Sequence, residues 1–178
     1  IMTARRRYVV FSHGKDSEPW GRKISLLAET ARVEGYEVDS VDYRGVDDPM
    51  ERVARLVEAC PGRAGDLVLV GSSLGGYVVL AAAALLHARG VFLMAPALYI
   101  DALPPLRPRP LDGPATIVHG WQDDVVPVEN SIRFAREYGA TLHLLPGDHR
   151  LHEQISQINY LFEYFLVDLD RPKPRGRA

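Results

Sequence analysis

The sequence is poor in the features that mark secreted, membrane-spanning and nucleic-acid-binding proteins. It contains one cysteine, Cys60, so no internal disulfide can form and a cytoplasmic location is expected. No apolar run approaches the length of a membrane span, and no N-terminal stretch resembles a signal peptide. The formal charge is −2, from 21 basic and 23 acidic residues. This balance gives no electrostatic reason to expect a nucleic acid or an anionic membrane as partner.

The size and composition are those of one globular domain. The chain has 178 residues, of which 47% are hydrophobic and 25% are charged. Basic residues cluster at both ends, in Arg5-Arg6-Arg7 and in the tail 171–178, where we expect them to act as solubilising termini. We therefore predict a single domain over residues 1–170, followed by a flexible basic tail.

Short apolar runs alternate with longer amphipathic ones, which is typical of an α/β protein. The apolar runs are mostly continuous, as in a parallel sheet covered on both faces, whereas the second run alternates and suits an edge strand. The predicted strands are 7–12, 36–43, 66–71, 90–95, 115–120 and 140–146. The predicted helices are 19–35, 48–62, 74–90, 127–139 and 151–169. This order predicts a three-layer, doubly wound sheet with right-handed crossovers.

Several local signals refine these predictions. Asp48 is a candidate cap for the second helix, and Pro61-Gly62 is expected to end it. The third helix is apolar nearly all round and should be the most buried. The segment 97–114 carries five prolines, so we expect an extended surface loop there, with one turn around Tyr99–Ala102.

A G-x-S-x-G motif lies between the third predicted strand and the apolar helix, at residues 71–75. A serine on so sharp a turn leaves no room for side chains two positions away on either side, which Gly71 and Gly75 satisfy. The turn should push the Ser73 hydroxyl out of the top of the sheet, at a helix N-terminus. The motif predicts a nucleophile at Ser73, the alternative being a tight turn needed only for packing.

A nucleophilic serine needs a general base, and the chain offers six histidines. They are His13, His87, His119, His143, His149 and His152. His149 follows the last strand, where the base is expected, whereas His152 should already lie on the last helix. His143 falls inside a strand, His119 ends one and suits structural hydrogen bonding, and His87 is expected late on a helix as a solvated or capping residue.

The base needs an acid to orient it, and Asp123 and Asp124 lie on the loop after the fifth strand. Either could reach a histidine that follows the sixth strand, and Asp124 could instead cap the helix that begins near Pro127. Asp101 is a weaker candidate. The resulting order, nucleophile then acid then base, places each residue at the C-terminal end of a strand, where open parallel sheets bind ligands.

The turn after the first strand, Ser12-His13-Gly14-Lys15-Asp16-Ser17, allows two interpretations. It is close to the Ser-Gly-Gly-x-Asp-Ser loop of ATP pyrophosphatases, but His13 replaces a glycine needed for close approach to phosphate, and no Walker or dinucleotide-binding motif occurs. Beside a nucleophile on the third strand, its backbone N–H groups can instead face an oxyanion. The N–H of Leu74 is then the second donor.

Four segments together resemble the α/β-hydrolase superfamily, in particular its small, single-domain, esterase-like members. They are FSHGKDS, VGSSLGGYVV, VHGWQDDVVPVENS and PGDHRL, and they reach from the first strand to the last helix. In this resemblance HGxxDxxVP places the acid at Asp123, and GDH places the base at His149. The SHG turn makes Lys15 the oxyanion donor beside Leu74, with His13 shaping the turn.

The resemblance also implies what this chain omits. We expect the two leading antiparallel strands of larger members to be missing, and the proline-rich loop to stand where those members carry a lid. The fold implied is an α/β-hydrolase sheet of six parallel strands in the order 2-1-3-4-5-6.

The function expected from the resemblance is that of a carboxylesterase-like serine hydrolase that acts through an acyl-enzyme, with no metal or cofactor. The partner would be a small acyl substrate, because a lidless site should be open and shallow. His13, Trp121 and Tyr99, with Trp20, are candidate pocket residues. A thioesterase or small peptidase would use the same residues, and a binding protein with a vestigial site is the alternative of a different class.

Overall fold

The computed structural model describes residues 5–60, 66–107 and 109–173. The strands are β1 (Tyr8–Ser12), β2 (Glu37–Val41), β3 (Leu67–Ser72), β4 (Gly90–Met94), β5 (Ala115–Gly120) and β6 (Thr141–Leu145). The helices are α1 (Arg22–Val33), α2 (Pro49–Glu58), α3 (Leu74–Ala83), α4 (Val128–Tyr138) and α5 (Ile155–Asp170). Each predicted strand and helix is therefore present, the fifth strand with the predicted bounds and the others with shifted ends.

The six strands form one parallel sheet in the order β2-β1-β3-β4-β5-β6, which confirms the predicted topology. The strand order reverses between β1 and β3, and Ser12 at the end of β1 pairs with Gly71 near the end of β3. The turns that leave these two strands consequently emerge side by side. This is the switch point at which doubly wound sheets bind ligands.

Helices cover both faces of the sheet and enclose two apolar layers. One layer packs against α2, α3 and α4 and includes Leu56, Val79 and Phe134. The other packs against α1 and α5 and includes Leu27 and Phe162. Nine of the ten residues of α3 are buried, so it is the buried helix that its uniform apolar sequence predicts.

Helix ends show where local signals succeed and fail. Asp48 caps α2 as predicted, accepting a hydrogen bond from Met50 N–H at 2.9 Å. The predicted stop Pro61-Gly62 lies outside the described residues, and α2 already ends at Glu58. Three other helices are shorter than predicted. Helix α1 begins at Arg22 rather than near Pro19, α3 ends at Ala83 rather than near Gly90, and α5 begins at Ile155 rather than near Leu151.

The proline-rich segment is extended, as predicted, and its turn is closed by a hydrogen bond from Leu103 N–H to Ile100 O at 3.0 Å. Tyr77 of α3 anchors it by donating to Pro104 O at 3.0 Å. Pro108 lies outside the described residues. Across the part of the chain that is described, no helix is both long and apolar enough to cross a membrane.

Arg5 and Arg6 are largely exposed, as expected of a solubilising terminus, but Arg7 is part of the fold. Arg7 pairs with Asp170 at the end of α5 and also donates to Glu34 O at 2.7 Å. Arg89 pairs with the other oxygen of Asp170 at 2.7 Å. Arg5 pairs with Asp66 at 2.5 Å. Of the predicted tail, residues 174–178 lie outside the described residues.

Candidate active site

Ser73 occupies a strained turn between β3 and α3. Its backbone has φ 53° and ψ −119°, a conformation that costs a non-glycine residue on the order of 1–3 kcal/mol. The turn is clamped because Ser73 N–H donates to Met94 O at 3.0 Å and Ser73 O accepts from Ala97 N–H at 2.9 Å. A Cβ at Gly75 would lie 1.9 Å from Ser12 O, and one at Gly71 would lie 2.6 Å from Gly75 O. The two glycines are therefore required by close backbone approach, as the motif predicts.

His149 lies in the loop between β6 and α5 and reaches the nucleophile turn. Its Nε2 is 2.9 Å from Ser73 Oγ, and its Nδ1 is 2.7 Å from Asp123 Oδ2. An ionised carboxylate has no hydrogen to donate, so Nδ1 carries the proton and Nε2 is left to accept one from the serine. The structure thus brings Ser73, His149 and Asp123 into one hydrogen-bonded line.

Asp123 is held in a single orientation. Its side chain is fully buried, and Oδ1 accepts from Val125 N–H at 2.9 Å and from Val126 N–H at 2.8 Å. Burial alone would raise the pKa of Asp123, but the hydrogen bonds from Val126, His149 and Val125 prevail and lower it. The carboxylate is therefore ionised at neutral pH, with its other oxygen aimed at His149.

A second imidazole touches the same carboxylate. His119, completely buried at the end of β5, has Nε2 at 3.0 Å from both Asp123 Oδ2 and Val126 O. Its Nδ1 is 2.7 Å from Ser131 Oγ. Burial lowers the pKa of His119, so the ring is neutral and donates from Nε2. The sequence predicted a structural role for His119, but not its contact with the acid.

The turn after β1 lies against the nucleophile. A Cβ at Gly14 would come within 3.4 Å of Ser73 Cβ, so the backbone that leads to Lys15 passes directly beside the serine. Leu74 is the first residue of α3, where an N–H group has no partner within the helix. The candidate donors Lys15 and Leu74 therefore flank Ser73 from two different turns.

His13 shapes this turn from the inside. It is 1% exposed, and its Nε2 accepts from Tyr43 N–H at 2.9 Å, so Nδ1 carries the proton and donates to Gly14 O at 2.8 Å. Burial lowers the pKa of His13, which keeps the ring neutral. These contacts agree with the shaping role that the resemblance implies. His13 does not line the cleft described below, so the structure does not place it in that pocket.

Sequence reasoning missed Arg52, a buried cation of α2 that fixes the same turn. Its Nη1 donates to His13 O at 3.4 Å and Gly14 O at 3.3 Å, and its Nε donates to Val46 O at 2.8 Å. Burial lowers its pKa, and the guanidinium stacks 5.1 Å from the centre of the Tyr43 ring. Because a trans peptide points N–H opposite to C=O, drawing the Gly14 carbonyl toward Arg52 turns the N–H of Lys15 away from it.

The competing candidates lie elsewhere. Asp124 is exposed, and the predicted cap was wrong because Pro127 precedes α4 and no side chain caps it. His152 precedes α5 and is exposed on the loop, so its predicted place on the helix was also wrong. His87 follows α3 rather than lying on it, and its ring is 2.8 Å from Asp112. His143 lies within β6, as predicted.

A cleft of about 580 Å³ opens between α3, the proline-rich loop and α4. Tyr99 lines it, together with Tyr77 and Ala97, and Ala97 is bonded to the Ser73 carbonyl. Trp121 is 51% exposed and not among the cleft walls, and Trp20 is exposed beside Arg32. Of the aromatic candidates, the structure therefore places only Tyr99 in the cleft.

The described residues include no group of three or more His, Cys, Asp or Glu side chains arranged to hold a metal ion. The polar groups around Ser73 are instead joined to one another by the hydrogen bonds given above. Their arrangement suits proton transfer between a hydroxyl, an imidazole and a carboxylate.

Comparison with known families agrees with the architecture of the sheet and helices. The model of the alpha/beta hydrolase family matches residues 9–174. The chain belongs to this family. A protein of the alpha/beta hydrolase superfamily from Xanthomonas campestris pv. campestris is 30% identical, with a TM-score of 0.84 over 92% of this chain and 98% of that chain.

Two more distant solved structures share the fold. Est1E from Butyrivibrio proteoclasticus is 19% identical, with a TM-score of 0.77 over 94% of this chain and 90% of that chain. A lidless serine hydrolase from Xanthomonas campestris is 18% identical, with a TM-score of 0.75 over 94% of this chain and 84% of that chain. No curated protein matches the chain. Membership of the family makes this chain a hydrolase-fold protein, and the substrate has to be argued from the site.

Proposed function

We propose that this α/β hydrolase is a serine hydrolase that cleaves a small carboxylic ester through an acyl-enzyme. The observation that carries the proposal is the 2.9 Å contact between His149 Nε2 and Ser73 Oγ, in an imidazole whose Nδ1 is bonded to Asp123. The imidazole is therefore oriented as a base toward a hydroxyl that the turn presents at the sheet edge.

The proposed reaction has two halves. Ser73 Oγ attacks the ester carbonyl while its proton passes to His149 Nε2, and the tetrahedral intermediate collapses when His149 returns that proton to the departing alcohol. Water then attacks the acyl-enzyme, its proton passing to His149 and on to Ser73 Oγ, which releases the carboxylic acid. Asp123 stays ionised throughout and stabilises the imidazolium.

The N–H groups of Lys15 and Leu74 are proposed to bind the oxyanion. Support comes from the position of Gly14 against Ser73 and from Arg52, which draws the Gly14 carbonyl to the far side. In comparable sites one such donor contributes roughly 3–4 kcal/mol to transition-state stabilisation.

The substrate class is proposed to be an ester with a small or aromatic acid. The cleft begins at Ala97, whose N–H binds the Ser73 carbonyl, and its walls combine tyrosines and aliphatic side chains with the charged Asp101, Arg107, Arg133 and Glu137. The tyrosine and aliphatic part of these walls suits an apolar acyl group. Est1E, which shares the fold, has been solved with ferulic acid bound, an aromatic acid. We infer that the acyl group lies toward Tyr77 and Tyr99.

The test is hydrolysis of p-nitrophenyl esters of aliphatic acids of rising chain length, the p-nitrophenyl ester of an aromatic acid, and acyl-CoA and aminoacyl substrates. We expect Ser73→Ala to lower kcat on the best ester by about 10⁴-fold or more while the thermal midpoint stays unchanged. Ser25→Ala, which removes a hydroxyl of α1 bonded to Trp20 O, is the matched control and should retain full activity. If Ser73→Ala keeps full activity on every ester tested, the proposal is refuted.

A further inference from the structure

Lys23 belongs to α1, yet its ammonium reaches the two turns that carry the reacting side chains. Nζ donates to Arg150 O at 2.9 Å and to Ser72 Oγ at 3.5 Å. Arg150 directly follows His149, and Ser72 directly precedes Ser73. One cation therefore contacts the chain neighbours of both groups between which the proposed proton transfer takes place.

Lys23 is one of several restraints on the loop after β6, because Gly147 is hydrogen-bonded to Gln122 through both its N–H and its carbonyl, and Leu151 is fully buried. Residues 146–154 contain no helix or strand, and Leu151 has φ 55°. Asp148 closes part of the loop, because its Oδ1 accepts from Arg150 N–H and Leu151 N–H, each at 3.0 Å. Lys23 adds a tie from this loop to the end of β3, on the other side of His149.

The charges around Lys23 come from the loops that face it. Asp148 and His149 belong to the loop after β6, and Asp123 belongs to the loop after β5. The last residue of β3 and the turn after it contribute the hydroxyls of Ser72 and Ser73. Burial lowers the pKa of Lys23 to about 8, and attraction first to Asp148 and then to Asp123 opposes this fall. Lys23 is therefore charged at neutral pH and titrates within reach of experiment.

We propose that Lys23 is a positioning residue, whose ammonium ties the turn carrying His149 to the end of β3 and so holds the imidazole within reach of Ser73. This inference rests on the proposed function. It assigns Lys23 no contact with substrate. Its effect should appear in the rate of the chemical step rather than in substrate affinity.

The pH dependence follows from the charge. Below pH about 8 the ammonium makes a charge-assisted hydrogen bond to Arg150 O, and above it the neutral amine makes a weaker one. The reactivity of Ser73 should therefore fall as pH rises through about 8, by about 5-fold. If Lys23 only stabilised the fold, the reactivity of Ser73 would not fall as pH rises through about 8.

Stability should move in the opposite direction. The pKa of Lys23 falls from 10.5 in the unfolded chain to about 8 in the folded one, so between these values the unfolded chain binds the extra proton. Stability due to this group consequently rises with pH across that window, and at pH 7 burying the charged ammonium is unfavourable. Removal of the charge should leave the folded state no less stable.

The experiment measures the second-order rate of covalent labelling of Ser73 by a fluorophosphonate from pH 6 to pH 10, which requires no knowledge of the natural substrate. We expect Lys23→Met to react about 10-fold more slowly at pH 7 and to lack the alkaline fall. Arg22→Met, on the exposed side of the same helix, should match the unsubstituted chain at every pH. The thermal midpoint of Lys23→Met at pH 7 should equal or exceed that of the unsubstituted chain.

The outcomes separate the two proposals. If the unsubstituted chain shows no labelling that depends on Ser73, the proposed function fails and the role of Lys23 fails with it. If labelling depends on Ser73 but Lys23→Met reacts at the unsubstituted rate at every pH, the hydrolase stands and the positioning role is overturned. A slow Lys23→Met with a clearly lower thermal midpoint also overturns it, because the lysine would then serve the fold.

Discussion

The orientation of the His149 imidazole depends on Asp123, whose two carboxylate oxygens make four close contacts. Oδ1 accepts from Val125 N–H and Val126 N–H, and Oδ2 faces His149 and His119. An amide at this position can keep the backbone contacts only by turning its NH₂ group toward the two rings. His149 would then be driven to the tautomer with its proton on Nε2, which cannot accept from Ser73.

We therefore predict that Asp123→Asn lowers kcat on the best ester by roughly 10³–10⁴-fold, with KM little changed. Steady-state kinetics on that ester measures the effect. Asp124→Asn makes the same chemical change at the exposed neighbouring position and should retain full activity. Equal losses in the two variants would mean that the acid has been wrongly assigned.

Residues whose roles follow from chain neighbours were predictable, and those whose roles depend on distant contacts were not. The sharp turn at Ser73 could be predicted because it requires glycine at positions 71 and 75, and both lie with the serine in a motif of five residues. Arg52 and Lys23 look in the sequence like ordinary polar residues of amphipathic helices. Their contacts lie 38 and 127 residues away along the chain, so no local pattern could reveal them.

At the scale of helices and strands, continuous apolar runs and their spacing predicted the strands and helices of a doubly wound sheet but not their exact ends, and the order of the strands came from the resemblance to the α/β-hydrolases. The third helix shows why. Its sequence stays apolar and favourable for helix well past Ala83, but the chain must turn there to enter β4, which begins at Gly90. Packing against the sheet, rather than propensity, decides where α3 stops.

The start of α2 is the clearest local signal and allows a prediction. Asp48 accepts from Met50 N–H, and Pro49 occupies the first turn. Loss of this cap in Asp48→Ala should reduce the free energy of unfolding by about 1 kcal/mol, measured by urea denaturation at pH 7. Asp47→Ala, an exposed neighbour, should change it by less than about 0.5 kcal/mol. A loss no larger in Asp48→Ala than in Asp47→Ala would contradict the capping role.

In the molecule as a whole, the beginning and end of the sheet-and-helix unit are joined. Arg7, just before β1, and Arg89, just before β4, both pair with Asp170 at the end of α5. Arg7 also stacks 4.4 Å from the centre of the Tyr36 ring. This cluster lies at the N-terminal edge of the strands, where β1 and β4 begin, and the candidate site lies at the opposite edge. The N-terminal edge of the sheet therefore carries the contacts that join the two ends of the fold, and the C-terminal edge carries the candidate site.

The central claim is that an acyl group passes through Ser73, and the direct measurement is intact-mass spectrometry of the protein quenched during turnover of its best p-nitrophenyl ester. We predict a single added acyl mass per chain, located by peptide mapping on Ser73, lost when substrate is exhausted and absent from Ser73→Ala. An acyl group on any other residue, or turnover of the ester that continues undiminished in Ser73→Ala, would contradict the account.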